Sequence, residues 1–556
     1  MPKKTGARFL AETLQAYGVS HYFFMPVSVV HAMPHLEELG IARIMAHSEI
    51  AAAYMADGYG RVSRSAGVCG AQSVGAANLA AGLQDAYLGC SPVIALTGRV
   101  PQSQKHRNAY QEIDHRASFQ AVTKFSTEVT TIEEFPLFLR QAFREATSGT
   151  PGPTHLDLVG IDGNEIMRAE ADLDVVVEEP FTQVPPFRPV ADESSIKQAL
   201  GMLATSTKPI IVAGGGVTAS DASEELIAFA EKLNIPVVTA LNAKAMFPAE
   251  HPLAVGVPGA YSRDCASRSV AGADIVFFIG SHTGGQVTHE WRVPTPGTKV
   301  IQLDINPAEI GRSYPVSAGL QGDVRATLEV MTSMAESGSH PDWVSTVQGY
   351  VAEWKANAAG HYNSEALPMR PERLCKELTD NLPSDSILVS DTGHAGIWTG
   401  TMIDLKYPEQ SFIRCAGSLG WGIPAAIGAQ CAAPDRPVVC FIGDGGAWYH
   451  LSEIETAVRC NIPAVFIINN NASLNQEKEL NEWVFGEPTT ACDSMWKLSD
   501  VDFSKIAESM GALGIQVTKP SDIGNALDRA VSARRPAVIE VRTDINGIAP
   551  PPWLPD

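Results

Sequence analysis

Two stretches of this chain carry side chains suited to chemistry at a fixed spacing. The first, Phe441-Ile-Gly-Asp-Gly-Gly-Ala-Trp448, offers the carboxylate of Asp444. The second, Asn469-Asn470-Asn471-Ala-Ser473-Leu474, offers amide oxygens and, just beyond them, a backbone carbonyl. Hard oxygens of this kind suit Mg²⁺, which takes about six and shares them with substrate phosphates. Gly443, Gly445 and Gly446 would let the backbone approach a diphosphate, and a helix after them would offer its N-terminal N–H groups. Gly-Asp-Gly by itself reads equally well as a strand-turn-helix with a capping Asp. The elements that position these residues can be read around them. Val438-Val-Cys-Phe-Ile442 and Ala464-Val-Phe-Ile-Ile468 are apolar runs of strand length. Between them Leu451, Ile454 and Val458 recur at helical spacing, predicting one helix. A β-α-β unit has a right-handed crossover and parallel strands, so Asp444 and Asn471 must leave the same carboxyl edge of one sheet. Open α/β sheets bind ligands at that edge.

The spacing from Asp to the last Asn is 471 − 444 = 27 residues. Gly-Asp-Gly followed by Asn-Asn at this distance resembles the signature of thiamine diphosphate (ThDP) enzymes. The chain from about residue 5 to 545 resembles the group of acetolactate synthase, pyruvate oxidase and benzaldehyde lyase. The resemblance implies that Asp444, Asn471 and the carbonyl of Ser473 hold Mg²⁺, with Asn470 as the other motif Asn and Gly443, Gly445, Gly446 and Leu474 around the cofactor. The Asn triplet leaves the register open by one residue, and the spacing favours Asn471.

Toward the N-terminus, Ser48-Glu49-Ile-Ala-Ala-Ala-Tyr-Met-Ala-Asp-Gly58-Tyr59-Gly-Arg61 is an Ala-rich helix begun by a Ser. A lone Glu there reads as a first-turn carboxylate favoured by the helix dipole. The resemblance instead makes Glu49 the acid that contacts N1′ of the aminopyrimidine and helps release the C2 proton. Ser48 replaces the His that relatives commonly have before this Glu, and Met25-Pro26-Val27-Ser28 replaces Gly-x-Pro-Gly. Asn108-Ala-Tyr110-Gln111-Glu112 resembles Ala-Phe-Gln-Glu and implies that Gln111 faces the active site, with Tyr110 and Phe119 beside it. His115 has no motif support. In the C-terminal third, Asp391-Thr-Gly393-His394-Ala395 implies contact of Gly393, His394 and Ala395 with diphosphate or substrate. Ala416-Gly417-Ser418-Leu419-Gly420 resembles the segment that wedges the cofactor into a bent shape, with Leu419 as the wedge and the Gly417 carbonyl as a partner of the 4′-amino group. Glu477 has two readings: a glutamate above the thiazolium, as in pyruvate-decarboxylase-like enzymes, or a solvated helix face.

At 556 residues the chain expects three or four domains of ordinary size. The fold class is α/β: three doubly wound parallel-sheet domains, at 1–180 (pyrimidine-binding), 190–345 (central) and 365–545 (diphosphate-binding). The four prolines before residue 190 and the Gly, Ser, Asn and His of residues 335–368 predict linkers. Lys208-Pro-Ile-Ile-Val-Ala-Gly-Gly-Gly216 predicts a strand and a Gly-rich turn whose spacing is wrong for a dinucleotide fingerprint. Relatives bind FAD, ADP-like groups or nothing here. FAD is possible but not favoured, because Gly280-Ser281-His282 lacks the Arg that follows in FAD binders. A net charge of −21 argues against nucleic acid, and no apolar run of about 18 residues predicts a membrane span. The N-terminus lacks an apolar signal segment. Nine cysteines without metal spacing read as reduced thiols, so a cytoplasmic protein is expected.

The resemblance implies an enzyme that uses ThDP and Mg²⁺ to cleave or form a C–C bond next to a carbonyl, through an ylide and an enamine. A 2-oxo acid or related small molecule is the donor, as in acetolactate synthase-like decarboxylases and carboligases. It also implies a homodimer or homotetramer with the site between subunits, Glu49 of one chain facing Asp444 of another. Alternatives are an oxalyl-CoA or 2-hydroxyacyl-CoA lyase-like enzyme, a sulfoacetaldehyde acetyltransferase-like enzyme, a catalytically silent ThDP-binding relative and, on the glycines 214–216, a nicotinamide dehydrogenase.

Overall fold

A computed structural model of the chain describes residues 3–486 and 490–555. Met1 and Pro2, part of the stretch read for a signal segment, lie outside the described residues.

Three six-stranded sheets, all parallel, follow one another along the chain. The N-terminal sheet holds β1 (His21–Phe24), β2 (Ala42–Met45), β3 (Gly67–Ala71), β4 (Val93–Arg99), β5 (Phe125–Val129) and β6 (Thr154–Val159), in the order β2-β1-β3-β4-β6-β5. The middle sheet holds β7 (Pro209–Ala213), β8 (Val237–Thr239), β9 (Ala254–Gly256), β10 (Ile275–Ile279), β11 (Lys299–Asp304) and β12 (Ala318–Gln321), in the order β9-β8-β7-β10-β11-β12. The C-terminal sheet holds β13 (Ile387–Ser390), β14 (Ser411–Arg414), β15 (Val438–Gly443), β16 (Val465–Asn470), β17 (Leu513–Val517) and β18 (Ala537–Arg542), in the order β14-β13-β15-β16-β18-β17. Central strands such as β15 and β16 are continuous apolar runs because helices cover both faces of a parallel sheet.

The N- and C-terminal units share one core. Helix Glu49–Ser63 lies against helix Gly422–Ala432, and small residues let them approach closely. A Cβ on Gly58 would strike the backbone of Ala425, and one on Gly428 the backbone of Met55.

Three expectations need correction. Residues 335–368 are not a plain linker, because Pro341–Tyr362 is a 22-residue helix. It buries Trp343, Val347, Val351, Trp354 and Ala358, a spacing of three and four that the polar residues between them obscure. The single helix expected between β15 and β16 is two, Asp444–His450 and Glu453–Arg459, and Leu451 belongs to neither. The second begins at Glu453, whose buried carboxylate accepts from Thr456 Oγ1 at 2.7 Å and from the backbone N–H of His47 at 2.9 Å. Gly215 and Gly216 are not turn but the first turn of a helix, Gly215–Ser220. Among the described residues no helix is long and apolar enough to cross a membrane, and the thiols of Cys69, Cys265, Cys375, Cys415 and Cys440 are buried.

Candidate active site

Strands β15 and β16 pair in parallel with Gly443 opposite Asn469, so Asp444 and Asn471 leave the same edge. A cavity of about 380 Å³ opens there. Its walls include Gly393, His394, Ala395, Gly417, Leu419, Gly443, Asp444, Gly445, Gly446, Asn471, Ser473, Leu474 and Glu477. The middle domain adds Tyr261 and Gln286, which no motif in the sequence had marked.

The donor set fits a divalent cation. Asp444 is 3% exposed, and burial pushes its carboxyl up to about 7 in the absence of a cation. A bound cation reverses that tendency. One Asp444 oxygen accepts from the N–H of Ser473 at 3.0 Å. The Oδ1 of Asn471 is buried without a protein partner, and a buried amide oxygen left in that state points to a ligand. Asn470 is already committed: its Nδ2 donates to Glu540 at 2.7 Å and to the carbonyl of Val501 at 2.9 Å. This separates the roles of the two asparagines. Among the described residues no three His, Cys, Asp or Glu side chains converge on a metal, so a cation here would take one carboxylate, amide and carbonyl oxygens, and oxygens from the diphosphate.

The three motif glycines differ in what they do. A Cβ at Gly443 would meet nothing within 4 Å, leaving open space beside the cavity for a diphosphate. A Cβ at Gly445 would collide with Leu474, and one at Gly446 would crowd Ile442 at 3.0 Å. The last two glycines therefore serve packing rather than the approach of a diphosphate. Gly393 has φ +65° and ψ −146°, a conformation essentially confined to glycine.

At the mouth, helix Asn475–Phe485 carries Gln476 and Glu477 in its first turn, both solvent-accessible and both lining the cavity. The two readings of Glu477 are thus compatible in one place. His394 Nε2 lies 3.2 Å from Glu479 Oε2, while its Nδ1 is buried without a partner. Burial holds the imidazole below its ordinary pKa and the Glu479 carboxylate partly opposes this.

Glu49 and Gln111 do not line this cavity. Glu49 lies just beyond the carboxyl end of β2, and Gln111 is tied through Ser73 to the loop after β3. Ser48 caps the Glu49 helix, its side chain accepting from the N–H of Ala51 at 3.1 Å. Asn78 Nδ2 donates to Glu49 Oε2 at 3.2 Å, and Gly75 leaves room for the carboxylate, since a Cβ there would lie 2.5 Å from Oε1. Ser73 Oγ donates to the carbonyl of Gln111 at 2.7 Å. Gln111 adopts φ +62°, unusual for a side chain of its size, and its Oε1 is buried without a partner. Tyr110 is 77% exposed, whereas Phe119 is buried against His155 with ring centroids 3.5 Å apart, which makes Phe119 core rather than site lining. His115 is buried, with Nδ1 3.0 Å from Asp157.

One chain thus carries, at two sheet edges, an oxygen-rich cavity and a separate acid on a helix start. Residues 4–118, 196–331 and 391–541 match the families described as thiamine pyrophosphate enzyme N-terminal TPP binding domain, central domain and C-terminal TPP binding domain. A probable acetolactate synthase large subunit of Methanocaldococcus jannaschii is 33% identical over 97% of this chain and 92% of its own length. The acetolactate synthase large subunit of Corynebacterium glutamicum is 30% identical over 97% and 86%. The acetolactate synthase isozyme 2 large subunit of Escherichia coli is 30% identical over 97% and 95%. The chain belongs to the thiamine diphosphate enzymes, in the acetolactate synthase group.

Proposed function

We propose that this protein cleaves and forms C–C bonds next to a carbonyl with ThDP and Mg²⁺, taking a 2-oxo acid or a related carbonyl compound as donor. The observation that carries the reading is the cavity in which Asp444, the unpartnered Oδ1 of Asn471 and the Leu419 segment face one another. When bound, ThDP supplies a carbon nucleophile and an electron sink. Asp444, Asn471 and the Ser473 carbonyl would hold Mg²⁺. Gly443 would leave the diphosphate its space, and Leu419 lines the cavity where the rings would lie. Glu49 would hold a proton at N1′ of the pyrimidine. His394, held by burial below its ordinary pKa, is placed to move a proton on substrate, with Gln476, Glu477 and Gln111 as its neighbours in the complete site.

Because Glu49 and Gln111 lie outside the cavity of their own chain, a second copy must supply them, and we read the protein as at least a homodimer. The exposed Val27, Val74 and Tyr110 support this, since Val27 and Val74 lie just beyond the carboxyl ends of β1 and β3 and Tyr110 precedes Gln111. The buried thiols of Cys69, Cys265, Cys375, Cys415 and Cys440 support a cytoplasmic location.

A second reading keeps this chemistry but takes a CoA thioester. It is favoured by a groove of about 510 Å³ over Gly214, Gly215, Gly216 and Gly280, which reaches Arg414 and Ala416, residues shared with the cofactor cavity. Ser281 and His282 after Gly280 argue for a group other than FAD there.

Proton NMR of the protein with ThDP, Mg²⁺ and pyruvate, then with pyruvate and an aldehyde, tests the proposal, with Glu49→Gln as control. Acetolactate or a mixed hydroxyketone absent in the control supports it. Untouched pyruvate with ThDP bound, and turnover of an acyl-CoA instead, selects the second reading. Failure to bind ThDP ends both.

A further inference from the structure

The segment that carries Leu419 has no regular structure, yet carboxylates hold its backbone from two sides. Asp85, on helix Gly75–Leu88 of the N-terminal unit, is fully buried. It accepts from the N–H of Ala416 at 2.8 and 3.0 Å, of Gly417 at 3.2 Å and of Ser418 at 3.1 Å. Three successive N–H groups converging on one anion form a nest. Arg61 completes the arrangement. Its Nη2 meets Asp85 at 3.0 Å, its Nη1 donates to the Arg414 carbonyl at 2.5 Å, and its Nε donates to Asp57 at 2.7 Å. Asp57 in turn accepts from Trp421 Nε1 at 2.8 Å, and the Arg61 guanidinium lies 4.8 Å from the centre of that indole. On the far side, Asp391 accepts from Gly420 at 3.1 Å and Gly422 at 2.7 Å.

A buried carboxylate is costly unless its oxygens are satisfied, and charge-assisted bonds are roughly twice as strong as neutral ones. Four donors on Asp85 meet that condition. An amide in its place would keep one acceptor oxygen and turn an NH₂ toward N–H groups. The anion is therefore required by the loop, and the loop by the cavity: Gly417 and Leu419 line it.

We infer that Asp85 is a positioning residue for the cofactor: from the N-terminal unit it fixes residues 416–418, and so sets the Gly417 carbonyl and the Leu419 side chain, before any ligand arrives. This rests on the functional reading of Leu419, but the clamp itself can be measured without the reaction. The backbone of this loop is spent on Asp85 and Asp391, so it should behave as core rather than as loop. It is also held independently of Asp444 and Asn471, so grip on the diphosphate and alignment of the rings are separable.

Hydrogen exchange of the full, cofactor-free chain tests the first point. Amides 416–418 should be protected as strongly as those of β14, and Asp85→Asn should speed their exchange by about tenfold or more while β15 and β16 stay unchanged. In the same variant kcat should fall about 100-fold, the scale expected of a misplacement near 1 Å, with the Kd of Mg–ThDP, read by tryptophan fluorescence, within about threefold. Exchange of 416–418 at open-loop rates in the unaltered protein overturns the inference, and does so even if Asp85→Asn does not fold. A folded variant with kcat within about threefold, or one losing affinity in step with kcat, overturns it too. An unaltered protein that shows the protection but binds no ThDP removes the functional reading and with it the role at the cofactor, leaving only a structural clamp.

Discussion

The N-terminal and C-terminal units thread six strands in the same order, yet the edges of their sheets carry different chemistry. In the C-terminal unit the edge beyond β15 and β16 presents a desolvated carboxylate and an amide oxygen with no partner. In the N-terminal unit the edge beyond β2 and β3 presents Glu49 at a helix start, bonded to Asn78 and fitted against Gly75. On the function proposed above, one edge would hold a cation and a diphosphate and the other would exchange a proton. The shared topology dictates where a ligand can bind, and the few residues after each strand dictate what is done there. The middle unit differs in strand order and sends Tyr261 and Gln286 into the cavity of its neighbour.

The largest effect should come from separating the two halves. Asp444→Ala should abolish turnover, by about 1000-fold or more, together with Mg–ThDP binding, because it removes the only carboxylate of the donor set. Glu49→Gln should cost about 100- to 10,000-fold in kcat yet leave the Kd for ThDP close to normal. Calorimetric titration beside steady-state rates checks this. If Glu49→Gln loses binding as fully as Asp444→Ala, the division between holding and activating is wrong.

Mixing the two inactive variants probes where the halves meet. If a site combines Glu49 of one chain with Asp444 of another, a heterodimer carries one intact site and one doubly altered site. Random exchange of equal amounts makes about half the dimers mixed, so about a quarter of sites, and of activity, should return. A site contained within one chain would give no recovery.

Much of this arrangement was legible in the sequence, for a physical reason. The strands are buried on both faces and so stand out as apolar runs, and Asp444 and Asn471 each lie next to a strand end whose direction the crossover rule fixes. What stayed hidden depends on contacts between residues far apart in the chain. Asp85 and Ala416 are separated by 331 positions, and nothing local to Asp85 distinguishes it from a helix-surface acid. Tyr261 and Gln286 reach the cavity only once the middle domain is docked. The family resemblance placed Phe119 beside the site, but its stacking on His155 draws it into the core. Helix Pro341–Tyr362 was hidden by composition, although its buried positions follow the helical period.

A smaller perturbation tests the fit of the acid in the N-terminal half. Gly75→Ala would place a methyl 2.5 Å from Glu49 Oε1 and 3.0 Å from its Cδ, so the carboxylate must turn aside. Turnover should fall by about 10- to 100-fold with ThDP affinity nearly intact, since the C-terminal half is untouched. Unchanged kcat would mean that the position of the Glu49 carboxylate in the single chain is not the one used in the complete site.

The smallest effect belongs to the C-terminal half and concerns protons rather than binding. Burial lowers the pKa of His394 and the nearby Glu479 carboxylate raises it, with burial the larger of the two. Glu479→Gln removes the raising partner, so the imidazole should titrate at still lower pH. If His394 takes a proton from substrate in its neutral form, the acid limb of kcat against pH should move down, with the plateau nearly unchanged. A shift upward, or a fall in the plateau without a shift, would instead make the Glu479 carboxylate the group that handles the proton. It would then do in the C-terminal half what Glu49 does in the N-terminal one, and the contrast between a gripping edge and a proton-exchanging edge would no longer hold.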